Sequence, residues 1–387
     1  MTRKFGKNTV FFIVVTLAMV AMVWFGANST VHFAYSRPAG VFFLPARVVE
    51  VVEDQTSFNA AGARVGSQEL RMQLLSGPRR GDIVEARNVL FPIEQAVFAR
   101  EGQRLLLYFE QLPGSPDSDY FARVQSYDRS IAIYVVILLF FGLLGAVFGK
   151  AGLRSAFSLI FTFVVIIFLL LPLIGNGGPP ALLTIFLSLV IIVVSLIAIM
   201  GFEKKTYVSI AGTAIGIVFY GIFYLMISAA LRITGFNVQE VDLLIVAGFY
   251  AGVSEFLFSA ILIASLGALM DVSVSLASVT AELSATNQKA GFRELFRSGM
   301  KIGRDIIGSS SNTLILAFTG TFFITLIIFR VNLFQYDVLI NRVDIGIEVL
   351  RAVSATSAMV LCAPATALIG AHVFAVKPGK KREKKRA

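Results

Sequence analysis

"SAFSLIFTFVVIIFLLLPLIGNGGPPALLTIFLSLVIIVVSLIAIMG", residues 155–201, holds no charged side chain from end to end. A helix needs about 20 apolar residues to cross a hydrocarbon core of roughly 30 Å. Two runs of that length lie here, 155–174 and 181–201, and the "GNGGPP" between them (175–180) combines the glycines and prolines of a tight reversal. Two adjacent membrane helices joined by a short loop satisfy both features, so the chain reads as a polytopic α-helical membrane protein.

The same length test applied outward finds 9–26, 131–149, 207–231, 243–270, 308–329 and 343–374, which brings the expectation to about eight transmembrane helices. Composition agrees: 56% of the 387 residues are hydrophobic and only 15% charged, more apolar than a soluble core of this size requires. Lysine and arginine near span ends are retained in the cytoplasm. Threading the spans with the N-terminus inside places Arg3, Lys4, Lys7, Lys150, Arg154, Lys204, Lys205, Lys289, Arg293, Arg297, Lys301 and Arg304 there, together with the tail "KPGKKREKKRA". Only Arg232, Arg330 and Arg342 fall in the short outer loops. Both termini are therefore expected inside, and the net charge of +10 is topogenic and lipid-facing, with no nucleic acid implied.

Four parts follow: a cytoplasmic stub and first helix (1–26), an exported domain (27–129), a seven-helix membrane domain (130–376) and a basic cytoplasmic tail (377–387). The first helix is read as an uncleaved signal anchor, although its basic start and the "ANS" after it also fit a cleaved signal peptide. The exported stretch is polar and divides into five strands, 46–54, 68–77, 82–90, 104–111 and 120–128, most of them bounded by Gly, Pro, Asp or Ser. That spacing predicts a small β-barrel-like extracytoplasmic domain, of the oligonucleotide/oligosaccharide-binding or lipoyl-like kind, between helices 1 and 2. Its one histidine, His32, has no cysteine or acidic cluster at metal-ligand spacing and reads as an interfacial polar group. Cys362, in the last span, is the one cysteine of the chain, so no intramolecular disulfide forms.

The early spans are bland, and Gly212 with Gly216 in the fifth indicates close helix packing. The last three carry the polar groups. Glu255 falls near the middle of 243–270, on a face shared with Gly248, Ala251, Gly252 and Ser259, where an ionised acid is costly unless protonated, paired or hydrated. In "GRDIIGSSSNTLILAFTG" (303–320), Ser309, Asn312, Thr313, Leu316, Thr319 and Gly320 share about 120° of arc, opposite Leu314 and Phe318, and are expected to form a buried polar stripe. The eighth span places Asp344, Glu348, Arg351, Ala355, Ala358, Cys362 and Ala365 on one stripe, with Glu348 and Arg351 spaced to pair and Pro364 set to kink the helix. Residues 271–305, bracketed by Asp271, Glu282 and Asp305, have the pattern of a basic helix lying along the inner membrane surface.

"SLGALMDVSVSLASVTAEL" (265–283) followed by "GRDIIGSSSNTLILAFTG" resembles the paired signatures of the YibE/F-like family of integral membrane proteins, with the likeness extending over roughly 130–375 and including "GNGGPP". The resemblance implies a bacterial plasma-membrane protein and leaves the substrate open. At fold level the acid at a span end, the cytoplasmic helix and the "D…N-T" start of the next span are similar to the SecD and SecF subunits of the resistance-nodulation-division superfamily. Asp271, Asp305 and Asn312 would match those positions. Two departures stand against it: eight spans against six, and no arginine-rich motif after Asp271.

No Walker-type loop, no metal motif and no nucleophile–base pair is legible, so neither enzymatic activity nor a cofactor is expected. The leading expectation is an ion-gradient-driven transporter or permease for a small solute or ion. Its pathway would be lined by Glu255, Asp271, Asp305, Ser309 and Asn312, and guarded at the outer end by Glu348 and Arg351. The alternative is an envelope assembly or sensory scaffold that binds a partner through its barrel. Beyond the lipid bilayer, a second membrane subunit or a homo-oligomer stays open.

Overall fold

The computed structural model describes residues 7–29, 40–60, 62–91, 97–111, 116, 119–234 and 253–375. His32, the Glu255 neighbours Gly248, Ala251 and Gly252, and the basic tail lie outside the described residues. The chain divides into two compact units, Tyr35–Leu143 and a helical unit made of Met1–Ala34 with Leu144–Ala387.

In the first unit five strands close a barrel in the order β1-β2-β3-β5-β4: β1 Val41–Phe58, β2 Arg64–Leu74, β3 Ile83–Leu90, β4 Arg104–Glu110 and β5 Phe121–Tyr127. All five coincide with expected strands, but β1 is twice as long as its apolar alternation suggested. Its first half pairs with β4 and its second half with β2. Register shifts at Val48/Glu50 and Val51/Glu53 bend it between the two partners, which is how one strand serves two sides of a barrel. Alternation is strict on β3, where Val84, Ala86, Asn88 and Leu90 point inward. Gly81, at φ 100°, makes the reversal before it in a conformation that favours glycine.

The inward polar pair Gln68 and Asn88 sits cross-strand and is nearly fully buried. Asn88 Nδ2 donates to Gln68 Oε1 (2.9 Å) and to Val97 O (2.6 Å), while Gln68 Oε1 also accepts from Ala99 N–H (3.0 Å). Burying two amides is tolerable because this network satisfies them and fastens segment 97–99 across the barrel end.

The helical unit contains α1 (Lys7–Asn28), the greater part of α2 (Ser130–Val165), a π-helical turn (Ile166–Leu170) running into α3 (Leu171–Gly175), α4 (Pro180–Met200) and α5 (Lys204–Ala230). After these come α6 (Val253–Thr286), α7 (Phe292–Thr321), α8 (Phe323–Val331), α9 (Tyr336–Ile340) and α10 (Val343–Phe374). Six helical stretches among the described residues are long and apolar enough to cross a membrane, or seven when α7 and α8, bent by 54° at their junction, count as one broken span. The chain is a multi-pass membrane protein. The count falls short of eight because the stretch Ser130–Gly175 forms one 46-residue candidate. It is not straight: Gly149 (φ 56°, ψ −129°) breaks the helix, and a Cβ on Gly145 would meet Leu153, eight residues on, at 3.4 Å. In a straight helix residues eight apart are about 12 Å apart along the axis.

Contacts fix the helix directions. Phe12 meets Phe157 and Gly26 meets the backbone of Phe168, so α1 and the second half of α2 run parallel. Tyr220 and Tyr224 of α5 donate to the carbonyls of Phe258 and Ser254, so α5 and α6 run antiparallel. Gly303 of α7 meets Leu276 of α6, and Gly299 meets Thr280, an antiparallel hairpin. This overturns the expectation of a helix lying along the membrane surface over 271–305. The segment continues α6 and begins α7, and Ala290, Leu295 and Ala371 bury one another at the hairpin end, with Ser284 donating to Phe374 O. At 1.5 Å per residue, α6 is about 50 Å long, roughly 20 Å more than a bilayer core takes up.

Candidate functional site

α10 is the helix around which the bundle packs, and its small residues explain why. Ala355, Ala358, Cys362, Ala363, Ala367 and Ala371 are all fully buried. At Gly212 of α5 a Cβ would overlap Thr366, and at Gly216 it would come within 3.2 Å of Cys362, so these two glycines allow the close approach expected of them. The polar atoms here are satisfied: Ser273 Oγ lies 3.0 Å from Cys362 Sγ, Cys362 Sγ donates to Gly212 O (3.3 Å), and Thr366 Oγ1 donates to Cys362 O (2.8 Å). The helix continues unbroken through Pro364.

Toward its other end α10 carries two ion pairs. Arg342 meets Asp344 at 2.6 Å and stacks over Phe329 and Phe334. Arg351 Nη1 donates to Glu348 Oε1 at 2.8 Å, and its guanidinium lies 5.9 Å from the ring centre of Phe318. Only one carboxylate oxygen of Glu348 is used: Oε2 is buried and has no hydrogen-bond partner among the described residues. Glu348 lines a groove of about 420 Å³ between the broken helix (Ile315, Phe318, Thr319, Phe322, Leu326) and α10 (Ala352, Thr356). Thr356 Oγ1 is likewise buried without a partner. The groove follows from the break, since the 54° bend after Phe322 swings α8 out of line with α7.

The other expected site residues are dispersed. Glu255 lies in the first turn of the described α6, where its Oε2 accepts a hydrogen bond from Ala181 N–H at the start of α4 (3.1 Å); the earlier part of the expected span, 243–252, lies outside the described residues. A carboxylate is favoured there by the partial positive charge of a helix N-terminus. The described α6 continues past Asp271 to Thr286, and Asp271 is exposed.

The polar stripe of α7 is the reverse of what its pattern suggested. Leu314 and Phe318 are buried against Ala268, Ala352 and Ala355, whereas Asp305, Ser309, Asn312, Thr313 and Thr319 are exposed. Large apolar side chains fill the seam opposite alanine, and Thr313 and Thr319 bond to their own helix carbonyls, which lowers the cost of leaving their hydroxyls outward. Glu255, Asp271 and Asn312 are thus not brought together in one pathway.

The hydroxyls of Thr184, Ser195, Ser259 and Ser311 are buried with no partner among the described residues; sequence reasoning placed Ser259 on the Glu255 face and missed the other three. Thr184 and Ser195, single hydroxyls in a run of Leu, Ile and Val, gave no signal because a hydroxyl is usually absorbed by its own helix, and Ser311 lies off the polar arc of its helix. Among the described residues no cluster of His, Cys, Asp and Glu could hold a metal ion.

A family model for YibE/F-like protein matches residues 136–376, which takes in α4 to α8, the groove and all of α10. The chain belongs to the YibE/F-like family. Comparison with curated proteins and with solved structures returned no match. The barrel and α1 lie outside the matched region, so the family part is the membrane bundle alone.

Proposed function

We propose that this YibE/F-like protein is an ion-gradient-driven transporter or permease of the bacterial plasma membrane, and that the groove between α7–α8 and α10 is where its solute binds. The observation that carries this reading is Glu348 Oε2, an unpartnered acceptor inside a membrane bundle. An ionisable residue at such a place is costly and is kept for function. Helices broken at membrane depth, as α7–α8 is, are the recurrent setting of transporter sites. One oxygen of Glu348 is neutralised by Arg351, and the free one selects a ligand that brings a hydrogen-bond donor or a positive charge.

The helix directions support an eight-span topology. The second half of α2 runs parallel to α1, so the chain crosses back between them, and the apolar stretch that ends at Gly149 supplies that crossing. With the basic loops inside, the barrel is extracytoplasmic and both termini are cytoplasmic. A partner in the membrane, either a second subunit or a second copy, is favoured by the outward polar face of α7, because the Asn312 amide faces away from its own bundle.

Solid-supported-membrane electrophysiology on proteoliposomes tests the groove. Concentration jumps of sodium, potassium, magnesium and small organic ammonium ions should give a charge displacement for at least one of them. Glu348→Gln should reduce it by roughly tenfold or more. No current above protein-free liposomes, or a Gln variant equal to wild type, would overturn the reading.

A further inference from the structure

Three of the five buried hydroxyls without a partner among the described residues lie in the seam between the second half of α2, α4 and α6. Thr162, Thr213, Thr280 and Thr366 each donate to the carbonyl four residues back, the usual way a membrane helix hides a hydroxyl. Thr184, Ser195 and Ser259 do not, although they are only 1%, 1% and 5% exposed. Helical spacing gathers them. Ala181, Thr184, Ser188, Ile191 and Ser195 share one face of α4, and Glu255, Ser259, Ile263 and Leu266 share one face of α6. The Ala181–Glu255 hydrogen bond sets these faces together at one end. At the other, Ser195 joins Ser155, Ser158, Thr162, Gly267 and Met270 around a groove of about 360 Å³. A buried hydroxyl left without a partner costs about 1–3 kcal/mol. Water relieves that cost, and at about 30 Å³ each several molecules fit the groove.

We propose that this seam is a hydrated column that carries protons between the groove and Glu255. Glu255 is the one ionisable side chain on either facing surface. Around it, α3 and α4 bring no titratable group, the Tyr220 and Tyr224 hydroxyls of α5 are engaged on α6 carbonyls, and Glu348 and Arg351 of α10 are paired with each other. A proton passes from a hydronium in the column to the Glu255 carboxylate, giving the neutral acid and water, and release is the reverse. Protonation removes the charge that the start of α4 stabilises, so it loosens the contact between α4 and α6. The proposal rests on the transport reading only in making the proton the driving ion.

Cysteine accessibility tests the water without any assumption about transport. In the full-length protein, whose native Cys362 is buried, Ser195→Cys should react with a small cationic methanethiosulfonate at least tenfold faster than Cys362 or Ser265→Cys, since only a hydrated thiol ionises. Ser265 is the dry control because its hydroxyl donates to Leu262 O. Thr184→Cys repeats the test if Ser195→Cys does not fold. Labelling as slow as the controls would overturn the column. Proton flux into pyranine-loaded proteoliposomes should then be lost in Glu255→Gln while Ser195→Cys labelling in that background persists. Equal flux in wild type and the Gln variant would overturn the proton role, whereas no flux in wild type would reject proton driving altogether.

Discussion

Glu255 and Ala181 are 74 positions apart in sequence, and the carboxylate of one accepts the backbone N–H of the other at 3.1 Å. The contact closes the first turn of α4, whose N-cap residue, Pro179, offers no side-chain acceptor. Glu255→Ala leaves that N–H without its acceptor and is expected to lower stability by about 1–2 kcal/mol. Glu255→Gln keeps an acceptor at nearly the same place and loses only the charge, so it should lose less stability than Glu255→Ala. Thermal unfolding in detergent separates the two, and equal melting of both variants would dissociate Glu255 from the start of α4.

Gly212 faces Thr366 where α5 and α10 cross, with no space for a methyl group. Gly212→Ala is expected to force the helices apart and cost about 1–3 kcal/mol. Thr366→Ala in the same chain removes Oγ1, the atom nearest the new methyl, together with Cγ2, but leaves Cβ at 2.9 Å, and should recover part of the loss. Additive effects in a double-mutant thermal series would show that the two residues do not meet.

The sequence made the bundle legible because length and apolarity are themselves what a bilayer demands. The five strands were legible from alternation, and the Glu348–Arg351 pair from its three-residue spacing. Directions around each helix were not. An apolar helix in lipid has no inside that hydrophobicity can mark, so the arc holding Asn312 and Ser309 gave the right face with the wrong neighbour. The depth of Glu255 was not legible for a related reason: α6 is longer than a bilayer core, and the centre of such a helix cannot be read from composition. The hydroxyls of α4 carry meaning only through what stands opposite them.

Asn88 and Gln68 predict where the barrel is vulnerable. Asn88→Ala strips donors from Gln68 Oε1 and Val97 O, both buried, and is expected to destabilise the barrel by about 1–3 kcal/mol and expose segment 97–99 to protease. Limited proteolysis of the full-length protein reads this directly, and an unchanged cleavage rate would refute the fastening role.

Asp128, just before α2, gives the barrel an acid-sensitive element. Its carboxylate accepts from the Ser130 hydroxyl and backbone N–H and lies 3.0 Å from Arg104. The Ser130 hydroxyl chiefly, against an opposing effect of burial, holds the group below its ordinary value of 3.8. A depressed folded value contributes stability above 3.8 and loses it as pH falls through the lower folded value. Wild type should therefore lose barrel stability in that acid range, and Asp128→Asn should flatten the loss while being less stable near neutrality. Protease resistance of the barrel across pH measures both.

Topology yields the most decisive outcome. Asn176, Lys204, Lys289 and Gln335 are all exposed, and the one native cysteine is buried, so single cysteines can be labelled without altering Cys362. The parallel course of α1 and the second half of α2 makes the α3–α4 turn extracytoplasmic if the N-terminus is inside. Asn176→Cys and Gln335→Cys should then react in intact cells with a membrane-impermeant maleimide, and Lys204→Cys and Lys289→Cys only after permeabilisation. A single uninterrupted span over Ser130–Gly175 would put the hairpin end of α6 and α7 outside. Labelling of Lys204→Cys and Lys289→Cys in intact cells, with Asn176→Cys unreactive, would establish that and discard the eight-span arrangement.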